Sequence, residues 1–354
     1  MMQLTTEHWA FRFGLPSATA VFKQQPEDFQ VNESLGYDLT GDGEHIYVYL
    51  EKTNLNTAFV AEQLAKFCKL PLRQVTYAGR KDKYAVTRQW FGIHVPGKQA
   101  FDWSAFALEG ARIIEAKRHN KKLRTGQLKG NYFDITLRDV TGQDEVLARL
   151  NQIASEGAPN YYGSQRFGVQ RLQESGEVQR GGNLLMAERM INGEDIRNRN
   201  KRSMALSALR SWLFNEGLSI RLNAGKLSTI LPGDVMNLSG SNSIFIAGDN
   251  DSSLAQRLAD KDISTTIPLW GEGDLGSQGQ AEALEHSTFN PYGEVTAFLA
   301  GQGLKMERRA AIIWPRQLEC NTQGDTLNIR FFLPPGCFAT SVLRECAQIT
   351  ELGS

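Results

Sequence analysis

One carboxylate stands among four cations in the stretch Tyr77–Gln89, which reads Y-A-G-R-K-D-K-Y-A-V-T-R-Q. It is Asp82, with Arg80, Lys81, Lys83 and Arg88 around it in sequence. A carboxylate within about 4–6 Å of opposite charge favours its ionised form. At an effective dielectric near 20, one cation at about 4 Å is worth roughly 4 kcal/mol before screening. Asp82 is therefore a candidate for a permanent carboxylate acting as nucleophile or base. A solvated charge run on a loop would have the same composition. Other chemistries find less support. No Ser/His/Asp set stands out. Cys68, Cys320, Cys337 and Cys346 make no C-x-x-C pair and the histidines are scattered, so neither a zinc site nor a disulfide framework is expected. Gly271-Glu272-Gly273-Asp274-Leu275-Gly276 matches G-x-G-x-x-G, but its two acids would repel a pyrophosphate and no convincing strand precedes it, so it reads as a loop.

The elements that must position Asp82 are short. Val75 to Ala78 and Trp90 to Val95 carry the β-branched and aromatic residues of strands, and Gly79 with the polar run between them predicts a tight connection at a strand end. Upstream, Ala20 to Lys23 predicts a strand, Pro26 a turn, and Phe29 to Val31 the start of a second strand. Ile46 to Leu50 alternates as another strand. Asn56 is placed to cap a helix over Thr57 to Lys69 that Pro71 ends. Tyr132 to Val140 and Thr326 to Leu333 predict strands; Glu145 to Ile153, Leu184 to Met190, Ser203 to Phe214 and a stretch from Ser341 predict helices. Strand and helix alternate, so the chain reads as mixed α/β.

With 354 residues there is material for two cores. Composition shifts near Gly157-Ala158-Pro159 and stays Gly- and Asn-rich to about Trp314, which suggests an α/β domain interrupted by a more helical one. Lys+Arg and Asp+Glu number 39 each, so net charge says nothing about nucleic acid, but its distribution does. Arg112 to Gly130 holds seven bases and one acid; Arg197 to Arg210 holds five bases and no acid; Ile263 to Leu304 holds five acids and no base. Sorting of this kind suits a neutral protein with one anion-binding face, and the interleaved Tyr132, Phe133, Tyr161 and Tyr162 suit RNA. The N-terminus has no apolar core, so no signal peptide is expected, and no apolar run approaches the roughly 20 residues of a membrane span. The cysteines suggest a reducing cytoplasm.

Four stretches stand in order along the chain: Ala78-Gly79-Arg80-Lys81-Asp82-Lys83, Lys129-Gly130-Asn131-Tyr132-Phe133, Asn160-Tyr161-Tyr162-Gly163-Ser164-Gln165-Arg166-Phe167-Gly168, and Phe332-Leu333-Pro334-Pro335-Gly336-Cys337-Phe338-Ala339-Thr340-Ser341. With Lys23 and Pro26-Glu27-Asp28-Phe29 ahead of them, the chain closely resembles the tRNA pseudouridine synthase D family over nearly its whole length. Tyr162 stands where the family usually has Phe, and Ser164 where a small residue is usual. The resemblance implies a pseudouridine synthase catalytic domain of class α/β (α+β), built on a mixed, largely antiparallel sheet at residues 1–156 and 314–354. A family-specific, more helical insertion is implied at 157–313. The implied activity is isomerisation of uridine 13 of tRNA to pseudouridine, without cofactor or metal. Asp82 resembles the catalytic aspartate, Lys23 its basic partner and Phe133 the aromatic that stacks on the target base. Phe29, Asn131 and Phe338 match positions that contact substrate. By type alone Lys23 could be a surface lysine, the phenylalanines core residues and Asn131 a turn residue. The expected partner is tRNA, with no membrane, and the expected state is a cytoplasmic monomer. A non-catalytic RNA-binding protein is the alternative. A glycosidase would need a second carboxylate, for which no partner motif is evident.

Overall fold

Period-two alternation builds most of the first unit. The computed structural model describes residues 3–97, 99–168, 171–172, 178–179, 181–241, 243–248 and 251–352. These form two compact units, one of residues 16–154, 315–339 and 346–354, the other of 1–15, 155–314 and 340–345. In the first, β1 (Thr19–Phe22), β2 (Phe29–Ser34), β3 (His45–Thr53), β4 (Val75–Tyr77), β5 (Val86–His94), β6 (Ala111–His119), β7 (Gly130–Thr141), β8 (Arg316–Gln323), β9 (Thr326–Leu333) and β10 (Gln348–Glu351) share one sheet. Its spine runs β8-β9-β7-β2-β5-β3-β6; β1 pairs with β7 and β10, and β4 with β5. The pairs β2/β5 and β1/β10 are parallel and the others antiparallel, so the sheet is mixed and largely antiparallel.

Alternation decides which side chains are inside. On β2, Phe29, Val31 and Glu33 are buried while Gln30, Asn32 and Ser34 are partly exposed. Helix α1 (Thr57–Phe67) lays Val60, Ala61, Leu64 and Ala65 against Ile46, Val48, Leu50, Phe91 and Ile93 of β3 and β5. Asn56 holds the N-cap position of α1, but its side chain makes no capping bond. The basic stretch from Arg112 is in good part strand, not loop. Arg112, Lys117 and Arg118 lie on β6, the last strand of the spine, where charge discourages edge-to-edge pairing.

Helix α2 (Gln143–Glu156) follows β7. In the second unit, α3 (Gly182–Ile191) and α4 (Arg199–Asn223) pack with helices Ser253–Ala259, Gly279–Phe289 and Gly293–Ala300 around a four-stranded antiparallel sheet. The second half of α4 is buried nearly all round: Trp212, Leu213, Phe214 and Leu218 meet Trp9, Ile267 and Phe289. Gly217 lets that contact close, since a Cβ there would come within 2.6 Å of the Phe289 ring. Arg221 and Asp234 form a buried ion pair at 2.7 Å. Ala158–Pro159 and Ile312–Ile313 pair antiparallel, so the long middle segment enters and leaves this unit at one place.

Candidate active site

The segment 78–85 joins β4 to β5, and buried side chains pin it along its length. Gln89 Nε2 donates to the Gly79 carbonyl at 3.3 Å. The Lys81 amide donates to Thr57 Oγ1 at 3.0 Å, and that hydroxyl donates to Gln89 Oε1, also at 3.0 Å. The Lys81 ammonium is ion-paired with buried Glu33. Lys52 Nζ donates to the Asp82 carbonyl at 2.7 Å. Buried polar groups are costly unless bonded, so a network satisfied in this way holds one loop geometry.

The loop presents Asp82 to a lysine distant in sequence. Lys23 Nζ stands 3.2 Å from Asp82 Oδ2, and Lys23 is only 1% exposed. Its ammonium also lies over the Phe22 and Phe29 rings, 5.2 and 4.8 Å from their centroids. Lys23 follows β1 with φ +57°, a left-handed conformation uncommon for a lysine and found where surrounding structure enforces it. Two of the cations near Asp82 in sequence serve elsewhere. Lys81 turns to Glu33, and Arg88 donates to Glu51 Oε2 at 2.6 Å and Asn32 Oδ1 at 2.8 Å. Arg80 and Lys83 are exposed.

Phe29 stacks on Phe133 at 6.0 Å with the planes 16° apart, and Phe133 meets Phe331 at 5.5 Å. A line of contacts thus runs from Asp82 through Lys23 and Phe29 to Phe133. Asn131 lies on β7 opposite Glu33 of β2 and Leu333 of β9. Its Oδ1 is buried and has no hydrogen-bond partner among the described residues. Gly130 beside it is left-handed at φ +154°, and a Cβ there would overlap the Leu333 carbonyl and the Phe332 ring. The K-G-N-Y-F stretch therefore needs its glycine for strand approach. Phe338 is half-buried in the turn after β9, beyond Leu333.

Sequence reasoning missed Lys52 and Glu351. Glu351 Oε1 accepts from Lys23 Nζ at 2.7 Å, so two carboxylates share that ammonium. A signal for Lys52 was present, because it continues the inward parity of Ile46, Val48 and Leu50 on β3. Burial lowers its pKa to about 8 against the nearby Asp82 carboxylate, which raises it. Glu351 carries no such signal; only strand pairing brings it in.

The basic stretches line clefts. Lys122 joins His45, Arg73, Gln74 and His94 around about 310 Å³ in the first unit. Arg199, Arg202 and Arg210 join Ser203, Leu206, Ser207 and Leu304 around about 350 Å³ in the second. Asp82 lines neither. Among the described residues no group of three or more His, Cys, Asp or Glu could hold a metal ion, and no helix is long and apolar enough to cross a membrane.

The model of the family tRNA pseudouridine synthase D matches residues 10–178 and 191–346. The chain is 54% identical over 345 residues to tRNA pseudouridine synthase D of Pseudoalteromonas atlantica, covering 98% of this chain and 97% of that one. It is 45% identical over 346 residues to the protein of the same name from Aeromonas hydrophila, covering 98% and 95%. Its fold is similar to the crystal structure of a Methanosarcina mazei protein carrying the same family name, with TM-score 0.69 and 20% identity over 95% of each chain. At that identity the likeness concerns the fold alone.

Proposed function

The chain belongs to the tRNA pseudouridine synthase D family, and from that premise we propose that it isomerises uridine 13 of tRNA to pseudouridine, with Asp82 as the reacting carboxylate. The observation that carries this reading is the buried Lys23 ammonium 3.2 Å from Asp82 Oδ2, on a loop pinned by bonds to its own backbone. Preorganised charge of this kind holds the carboxylate where it must react, without reorganisation during reaction. The reaction breaks the C1′–N1 bond, turns the uracil and joins C1′ to C5. The C5 proton is lost and N1 gains one, so nothing is consumed. Asp82 opens it by attack on C1′ or by removing the C2′ proton.

The freed base must be held while it turns. Phe29 and Phe133 offer ring surface beside Lys23, and Asn131 offers a buried oxygen without a protein partner, suited to the N3–H of uracil. Phe338 completes the assignment as a substrate contact. A uridine within folded RNA must first leave its stack, at a cost of a few kcal/mol. Phosphate contacts at the clefts beside Lys122 and Arg202 would offset that cost. The same reading assigns 1–156 and 314–354 to the catalytic domain and 157–313 to an insertion, although residues 1–15 and 340–345 group with the second unit. The pairing of Ala158–Pro159 with Ile312–Ile313 supports it, since an inserted domain leaves its host chain and returns to it at neighbouring points. The protein is read as a cytoplasmic monomer that needs neither cofactor nor metal.

Tritium release from C5-labelled uridine in unmodified tRNA tests the proposal. Wild type should release tritium at position 13, and Asp82→Asn should release none while binding tRNA with nearly unchanged affinity. Turnover by Asp82→Asn near the wild-type rate would remove Asp82 from the mechanism. Binding without any release by the wild type would make the protein an RNA-binding protein only.

A further inference from the structure

We propose that Glu351, in the C-terminal strand, is a positioning residue for Asp82 that acts through Lys23; the role rests on the reading of Asp82 given above. β10 lies parallel to β1 with Glu351 opposite Phe22, the residue before Lys23. Gln348 N donates to the Ala18 carbonyl at 2.8 Å and Leu352 N to the Phe22 carbonyl at 3.1 Å, so both ends of β10 are tied down. Gln348 Nε2 adds a bond to the Pro16 carbonyl at 2.8 Å. Glu351 then reaches Lys23 Nζ at 2.7 Å, closer than the 3.2 Å to Asp82.

An ammonium has three donors, and two of them here go to carboxylates. The lysine is buried while both acids are about a quarter exposed, 26% for Asp82 and 24% for Glu351. Two consequences follow. The shorter bond anchors the ammonium, which would otherwise be free to close on Asp82 as a tight pair. The second negative charge disfavours ionisation of its neighbour, opposing the lysine. Glu351 thereby sets where the ammonium stands against Asp82, while the Lys52 ammonium on the Asp82 carbonyl adds positive charge from β3.

The two partners of Lys23 should therefore have opposite signatures. In tritium-release assays across pH, Glu351→Gln should move the acid limb of the kcat profile to lower pH by roughly one unit, because a like charge is gone and Lys23 is left to Asp82 alone. kcat should fall about tenfold, the worth of one charge-assisted hydrogen bond, with KM nearly unchanged. Glu351→Asp, which keeps the charge, should keep the limb where wild type has it. Lys23→Met should move the limb the other way, and adding Glu351→Gln to it should bring the limb back only by the direct repulsion between the two carboxylates, with no further fall in kcat. Carbon-13 titration of the Asp82 carboxyl in wild type and Glu351→Gln reads the same shift without turnover. An Asp82 titration that coincides in the two proteins overturns the proposal, whether or not tRNA is turned over. A shifted titration in a protein that releases no tritium upholds it and overturns the enzyme reading instead.

Discussion

Lys52 shows how one buried residue ties stability to the candidate chemistry. It is fully buried on β3, and its ammonium is spent on the Asp82 carbonyl. Burial lowers its pKa from 10.5 to about 8. The charged lysine therefore weighs against the folded state fully below pH 8. That cost is relieved between about pH 8 and 10.5, where the unfolded chain still holds a proton that the folded chain has released. Lys52→Met removes the titrating group, so the melting temperature of wild type relative to the variant should rise across that window. Differential scanning calorimetry at pH 7, 9 and 10.5 reads this, and a constant difference would show that Lys52 does not titrate there. Activity should move separately. Without its donor the Asp82 carbonyl loses a restraint, and kcat at pH 7 should fall about tenfold, again the scale of one hydrogen bond from a charged group.

At the scale of elements, β7 does most to assemble the site. It pairs with β9 on one side and β2 on the other, which sets Asn131 opposite both Glu33 and Leu333 and places Phe133 between Val31 and Phe331. Gly130 lets β7 approach β9 this closely. Gly130→Ala would force a methyl into the Leu333 carbonyl and the Phe332 ring from a left-handed backbone. We expect a loss of about 1–3 kcal/mol in chemical denaturation, the usual cost of overpacking, and a larger loss of activity because Asn131 and Phe133 follow the strand. A variant as stable as wild type would mean that β7 can shift without harm. On α4 the sensitive position is the buried pair Arg221–Asp234. Asp234→Ala leaves a buried guanidinium charge without its acid and should cost about 3–5 kcal/mol, visible as a large drop in the denaturation midpoint.

For the molecule as a whole, neutral net charge means that an RNA must find local positive surface. Each unit carries a basic cleft of its own, one beside Lys122 and one beside Arg202. Each phosphate neutralised contributes about −0.7 to −0.9 to the slope of log K against log salt. Replacing Lys121 and Lys122 by Ala should flatten the slope for unmodified tRNA by up to roughly two such increments, and should weaken different RNAs about equally. Replacing Arg199 and Arg202 should act in the same direction, and Asp82→Asn should leave the slope alone. Fluorescence anisotropy over a salt series measures all three. Slopes unchanged by both pairs of substitutions would mean that tRNA docks elsewhere.

The amino-acid sequence alone was enough for whatever depends on residues close together in the chain. Alternation marked β3, residue content marked β7, β9 and the start of β2, an apolar face marked α1, and the ordered motifs marked the family and Asp82. Partners were another matter. A charge run cannot say which cation serves which acid, because the direction of a side chain is set by strand parity and by the neighbouring strand. Lys81, adjacent to Asp82, is drawn to Glu33, and Arg88 to Glu51. Lys23 is 59 residues away in sequence, yet it meets Asp82 through the turn after β1. Lys52 could have been found from its parity with Leu50. Glu351 could not, because it joins Lys23 from 328 residues away only through the parallel pairing of β10 with β1. That pairing consists of backbone hydrogen bonds, which every residue can make, so no pattern of side chains announces it.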